Sequence, residues 1–245
     1  MKKYSLKLIT PAVEKVGWEF KEGESYLVGQ LRAALILSAG LIGHTATVEE
    51  AQRRFDLYTS GKDRDAINPS LRKAVFSIAV KNGGESAFKA VQQDFLNSTT
   101  IDGKEICLQA LGRVQTPELA QELLSFIFSD KVAMQDKHSG TITLANNAKV
   151  RLEVWKFIRD NWEERVHKTL SGNMVVLERF LRFGLNKFSD EAVADEIAQF
   201  FEKKDNRGYD KALAVIDDTV RSHAKYKNRD EKVVREWLKA NGYVQ

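Results

Sequence analysis

One cysteine, three prolines and 15 glycines in 245 residues leave little material for several kinds of protein. The lone thiol, Cys107, excludes an intramolecular disulfide and a cysteine-rich metal site. It lies in the apolar pattern Ile106, Cys107, Leu108, Leu111, reads as a small core residue and fits a reducing compartment. So few prolines and glycines argue against a strand-and-turn architecture, and Leu, Ala, Lys, Glu and Gln fill the segments between them. Charge of one sign is also scarce. With 38 basic against 34 acidic residues, a net charge of +4 and a pI of about 9.0, no block of like charge stands out. Nucleic acid is therefore not an expected partner, since such a surface needs clustered Lys and Arg. The longest apolar run, Ala33 to Ile42, is broken by Ser38 and Gly40 and is too short to span a bilayer. The N-terminal MKKYSLKLI is interrupted by Thr10, Pro11, Glu14 and Lys15 before a signal-peptide core can form. No membrane is expected as partner, and the protein reads as soluble.

What is present is helix periodicity. The stretch Lys149 to Val166 places Leu152, Trp155, Ile158, Trp162 and Val166 at intervals of three and four, predicting one long amphipathic helix. On its charged side Lys156 with Asp160, and Arg159 with Glu163, stand at i,i+4, each pair worth ~0.3 kcal/mol on an exposed helix. Before it, helices are predicted over 4–20, 26–41 and from Thr47, where Glu50 three residues on suggests a capping box. Asn68-Pro69 and Thr116-Pro117 are further N-terminal signals. Asn82-Gly83-Gly84 marks a helix end, with another helix over 85–96. Ser189 is read as a cap, and the last two helices are placed at about 209–223 and 230–241. The fold class is all-α: stacked antiparallel helix pairs in a HEAT/ARM-like α-solenoid, with no linker dividing residues 1–245.

Catalytic constellations are few. His44, His138, His167 and His223 never form H-E-x-x-H or another closely spaced pair; no Gly-rich phosphate loop and no G-x-S-x-G occurs. Adjacent carboxylates such as Glu49-Glu50 and Asp217-Asp218 read as solvated helix faces. The loop ANNAKVR, Ala145 to Arg151, differs in character. Asn146, Asn147, Lys149 and Arg151 stand where a helix N-terminus offers free amides and partial positive charge, a place that can hold a carboxylate. The competing reading is a plain asparagine cap.

Three runs carry a family resemblance: GHTATVEEAQRRF from Gly43 to Phe55, SDKVAMQD from Ser129 to Asp136, and VWKFIRDNWEE from Val154 to Glu164. Over most of its length the chain resembles the C-terminal helical, HEAT-like domain of zinc aminopeptidases of the puromycin-sensitive and alanyl type. The resemblance implies that zinc, H-E-x-x-H and the G-x-M-E-N loop belong to a catalytic domain elsewhere in the same polypeptide. This chain would then hold no cofactor and no catalytic residue of its own, would lack the first helices of its domain, and would close the active-site chamber and limit peptide access. Relatives place an arginine near the position of Asn146 against the peptide's C-terminal carboxylate; here Lys149 or Arg151 is expected to substitute. The parent is expected to be a cytoplasmic hydrolase acting in proteolysis. The rival reading is a free-standing helical-repeat scaffold for a protein partner, and a large exposed apolar seam within residues 1–42 would favour the domain reading over it.

Overall fold

In the computed structural model, which describes residues 1–244, helix is the only regular secondary structure. The helices are α1 (Lys2–Val16), α2 (Tyr26–Ile42), α3 (Thr45–Thr59), α4 (Arg72–Asn97), α5 (Ile101–Leu111), α6 (Pro117–Ile127), α7 (Lys137–Asn146), α8 (Arg151–Asp160), α9 (Lys168–Leu170), α10 (Met174–Leu185), α11 (Glu191–Glu202) and α12 (Asp210–Ala240). They divide into two compact units, Met1–Arg113 with Arg235–Gln245, and Val114–Val234.

The first unit is built around α4. Residues 74 to 80 are buried without interruption, as a helix enclosed on all sides requires, and α2, α3 and α5 pack against it. Gly40 of α2 sets one approach, because a Cβ there would meet Ile78 Cδ1 at 2.3 Å. The Gly83-Gly84 signal marks a kink instead of a gap: Gly84, at φ 59° and ψ −141°, bends α4 while helix continues on both sides. Arg32 is 1% exposed; it pairs with Glu24 at 2.5 and 2.6 Å and donates to the carbonyls of Gly17 and Val16. On α2, Tyr26, Leu27 and Leu31 are 77%, 75% and 50% exposed, and Ala34 continues this bare face at helical spacing.

The second unit packs α7, α8 and α10 together, with α6 against α7 and α8. The predicted helix over 149–166 is interrupted. Asn161 adopts φ −122°, its amide side chain competes for the Phe157 carbonyl at 3.1 Å, and a π-helical turn, Trp162–His167, follows. Trp162 and Val166 still reach the core, but Leu152 is exposed. The expected i,i+4 ion pairs give way to nearer acceptors: Lys156 takes Glu153, and Arg159 takes Asp160 and Glu196.

Two caps shift. Helix α3 begins at Thr45 after His44, the Thr47 hydroxyl shares a 2.8 Å hydrogen bond with His44 Nδ1, and Glu50 is taken by Arg53 and Arg54. The cap of α11 is Asp190, whose carboxylate accepts from Ala192 N at 2.9 Å, one residue beyond Ser189. Asn68 and Thr116 cap as expected. The last two predicted helices are one, α12, because residues 224–229 contain no Gly or Pro to end it.

Candidate functional site

The turn between α7 and α8 brings the four anticipated residues together, each with different work to do. Asn146 is exposed and its amide folds back onto the Ile142 carbonyl at 2.8 Å. Asn147 ties the loop: its Nδ2 donates to the Val114 carbonyl at 2.6 Å and its Oδ1 accepts from Lys149 N at 3.3 Å. Its backbone carbonyl takes the amides of Val150 and Arg151 at 3.1 and 2.9 Å, and Glu153 N goes to Val150 O at 2.9 Å. The free amides expected at this helix start are thus largely engaged, and attraction for an anion rests on side-chain charge. Lys149 is exposed. Arg151 is half-buried, donates to the Lys187 carbonyl, and keeps its Nε hidden without an acceptor; burial lowers its pKa. Lys149 carries the accessible charge, and Arg151 braces the loop.

Sequence reasoning missed Glu153, a carboxylate buried at the start of α8. Burial pushes its pKa up, yet hydrogen bonds from Lys156 at 2.8 Å and Gln121 at 2.8 Å, with the lysine's charge, outweigh that and hold it below the usual value. Its position was the available signal, since Glu153 falls on the same helix face as Val150 and Phe157. Lys137, in the second resembling run's shadow, was missed as well. Its ammonium is buried and donates to the carbonyls of Ile127, Ser129 and Val132 at 2.6, 3.1 and 2.9 Å.

Trp162 in the π-helical turn meets Phe201, Tyr209 and His167 at centroid distances of 4.9, 5.7 and 5.4 Å, and Trp155 meets Phe200 at 5.5 Å. Trp155 and Trp162 lie in the core as their spacing suggested. Among the described residues no three His, Cys, Asp or Glu side chains gather as metal ligands, so a zinc ion finds no fitting donor set here.

Comparison with known proteins decides the kinship of this helical chain. Residues 1–222 match the family described as ERAP1-like C-terminal domain. The chain belongs to that family. Aminopeptidase 2 of Candida albicans is 28% identical over 239 residues, covering 97% of this chain and 26% of that protein. A Saccharomyces cerevisiae protein named Aminopeptidase 2, mitochondrial, is 30% identical over 241 residues, 98% of this chain and 25% of its own. Aminopeptidase M1-C of Oryza sativa subsp. japonica is 29% identical over 219 residues, 87% and 24% respectively. The chain therefore spans about a quarter of the length of these curated relatives.

Proposed function

We propose that this ERAP1-like C-terminal domain, residues 1–245, is the non-catalytic helical part of a zinc aminopeptidase that removes N-terminal residues from peptides. In this reading zinc and the reacting groups belong to a catalytic domain in the same polypeptide, and this part closes the chamber and governs peptide access. The match of residues 1–222 to that family carries the proposal. The bare face of α2 supports it: Tyr26, Leu27 and Leu31 form an apolar stripe of the kind left when a domain is separated from a neighbour, where a free-standing scaffold would end in a polar cap. The catalytic domain is the proposed occupant of that face.

The α7–α8 turn is proposed to face the peptide, with Lys149 and Asn146 reaching for a long peptide's C-terminal carboxylate and Asn147 and Arg151 holding the loop. In the whole enzyme, Lys149→Ala should raise KM about threefold or more for long peptides, the loss of one charge-assisted contact, and leave KM for a single-residue amide unchanged. Equal effects on the two substrates refute the contact. An immunoblot of native lysate for a polypeptide about four times this chain's length tests the domain reading itself; a band at the chain's own size favours the scaffold. We place the parent in the cytoplasm, with organelle fractionation as the check and mitochondrial recovery the contrary result.

A further inference from the structure

A polar cavity lies remote in sequence from the α7–α8 turn. It measures about 320 Å³ and lies in the first unit, where the segment after α1 meets the loop leading from α3 into α4; Trp18, Phe20, Arg54, Arg64, Asp65 and Arg72 line it. Each nitrogen of Arg54 is engaged: it donates to Glu50 at 2.7 Å, to Glu19 at 2.5 Å and to the Ala66 carbonyl at 3.2 Å, and stacks over Trp18 at 5.0 Å. Arg64 and Arg72 are not. Both stand over the ring of Tyr58, at 5.4 and 5.7 Å, and neither meets a hydrogen-bond acceptor among the described residues. The Nε of Arg72 is withdrawn from solvent without a partner, so any ligand must be met by its terminal nitrogens. The ring that carries them is itself pinned, since Tyr58 OH donates to Asp94 at 2.9 Å. The first amides of the turn entering α4 are spent on Asn68, so recognition falls to the two guanidiniums.

We propose that this cavity binds a phosphate-type oxyanion, held by Arg64 and Arg72. Each guanidinium offers a planar pair of donors. A carboxylate can also take two guanidiniums, as Glu50 takes Arg53 and Arg54, but it must share its two oxygens between them and carries one charge, whereas a phosphate has three or four oxygens and more charge and accepts each fork on separate oxygens. A bare phosphate does not fill the space, and Trp18 and Pro69 give the remainder an apolar wall suited to the organic part of a phosphate ester. Two carboxylates on the wall oppose the anion, Asp65 and Glu19, the second already paired with Arg54.

Titration calorimetry on the intact chain, at constant ionic strength, tests this with inorganic phosphate, phenyl phosphate, acetate and benzoate. Saturable binding of a phosphate is expected; phenyl phosphate as the tighter of the two identifies an ester, inorganic phosphate as the tighter identifies the free anion, and either supports the site. Exposed Arg64→Gln should weaken binding about tenfold, the loss of a charged hydrogen-bonding group, and Asp65→Asn should tighten it. Arg72→Gln, read with a circular-dichroism check of folding, should match Arg64→Gln. Absence of saturation, benzoate binding as tightly as phenyl phosphate, or an unchanged affinity in Arg64→Gln overturns the proposal.

Discussion

Among the described residues each unit buries one cation, and the two do so by different chemistry. Arg32 in the first unit is enclosed with a counter-ion: Glu24 binds it through two oxygens, the carbonyls of Val16 and Gly17 take further donors, and the Phe20 ring lies 4.5 Å beneath. The bond to Glu24 raises its pKa against the cost of burial. Lys137 in the second unit bonds to no carboxylate. Three backbone carbonyls match its three protons, and one of them, Ile127, ends α6, where carbonyls lack helical partners and the dipole is negative. Burial lowers its pKa, opposed by the charge of Asp130. Each side chain fastens an irregular connection, one between α1 and α2, the other between α6 and α7. A buried cation thus needs no hydrogen-bonded counter-ion when backbone dipoles match its donors in number and geometry, here with the Phe128 ring 5.5 Å from the ammonium and Asp130 acting at longer range.

The sharpest way to break the comparison is to remove each cation in turn. Lys137→Met leaves the carbonyls of Ile127, Ser129 and Val132 without their donor, two of them in buried bonds, and urea unfolding should show a loss of about 3 kcal/mol. Arg32→Met should cost less, about 2 kcal/mol, because the Glu24 side chain, 13% exposed, can take up water once released. A reversed order would mean that the counter-ion, and not the match of donors to carbonyls, sets the cost.

Smaller effects should appear in pH titrations of stability. The Glu24 pKa is held below 4.5, chiefly by the hydrogen bond from Arg32, so its contribution is complete above pH 4.5 and is lost as pH falls through the depressed folded value. Glu24→Gln should flatten that acid limb. Lys137 behaves oppositely: its folded pKa lies below 10.5, the unfolded chain binds more protons in that interval, and its own contribution to stability should rise as pH climbs toward 10.5, against the fall contributed by Cys107, Tyr58 and Tyr209, whose pKa values burial raises. Lys137→Met should remove this rise and leave the acid limb untouched. The smallest effect belongs to the open face of the helix that carries Arg32. Leu27→Lys with Leu31→Lys should alter the stability of the isolated chain by less than about 0.5 kcal/mol, measured by urea melts, since both side chains are already in water.

Legibility in the sequence followed the range of the forces involved. Asn68 and Thr116 cap where they were expected because a cap is settled within three residues. Thr47 failed because His44 lay equally close and competed for its hydroxyl, and Ser189 because a carboxylate followed it. The long helix over 149–166 was half legible. Its apolar spacing named Trp155, Ile158, Trp162 and Val166 as core, but the π-helical turn depends on Asn161 turning back on Phe157, which periodicity does not register. In the candidate loop, the four residues were legible as a cluster. Their division of labour was not, because the partners of Asn147 and Arg151, Val114 and Lys187, lie 33 and 36 positions away.

By itself the sequence determined that this chain is helical, where most helices lie and which family it resembles, since propensity, 3.6-residue spacing and local motifs act over a few neighbouring residues. Tertiary structure alone decided that the helices gather into two compact units, that Arg32 and Lys137 go inside, that the α2 stripe stays bare and that Arg64 and Arg72 share one ring without an acceptor. Those outcomes depend on which distant carbonyls, carboxylates and rings the packing brings within reach, and burial multiplies the cost of every polar group left without one.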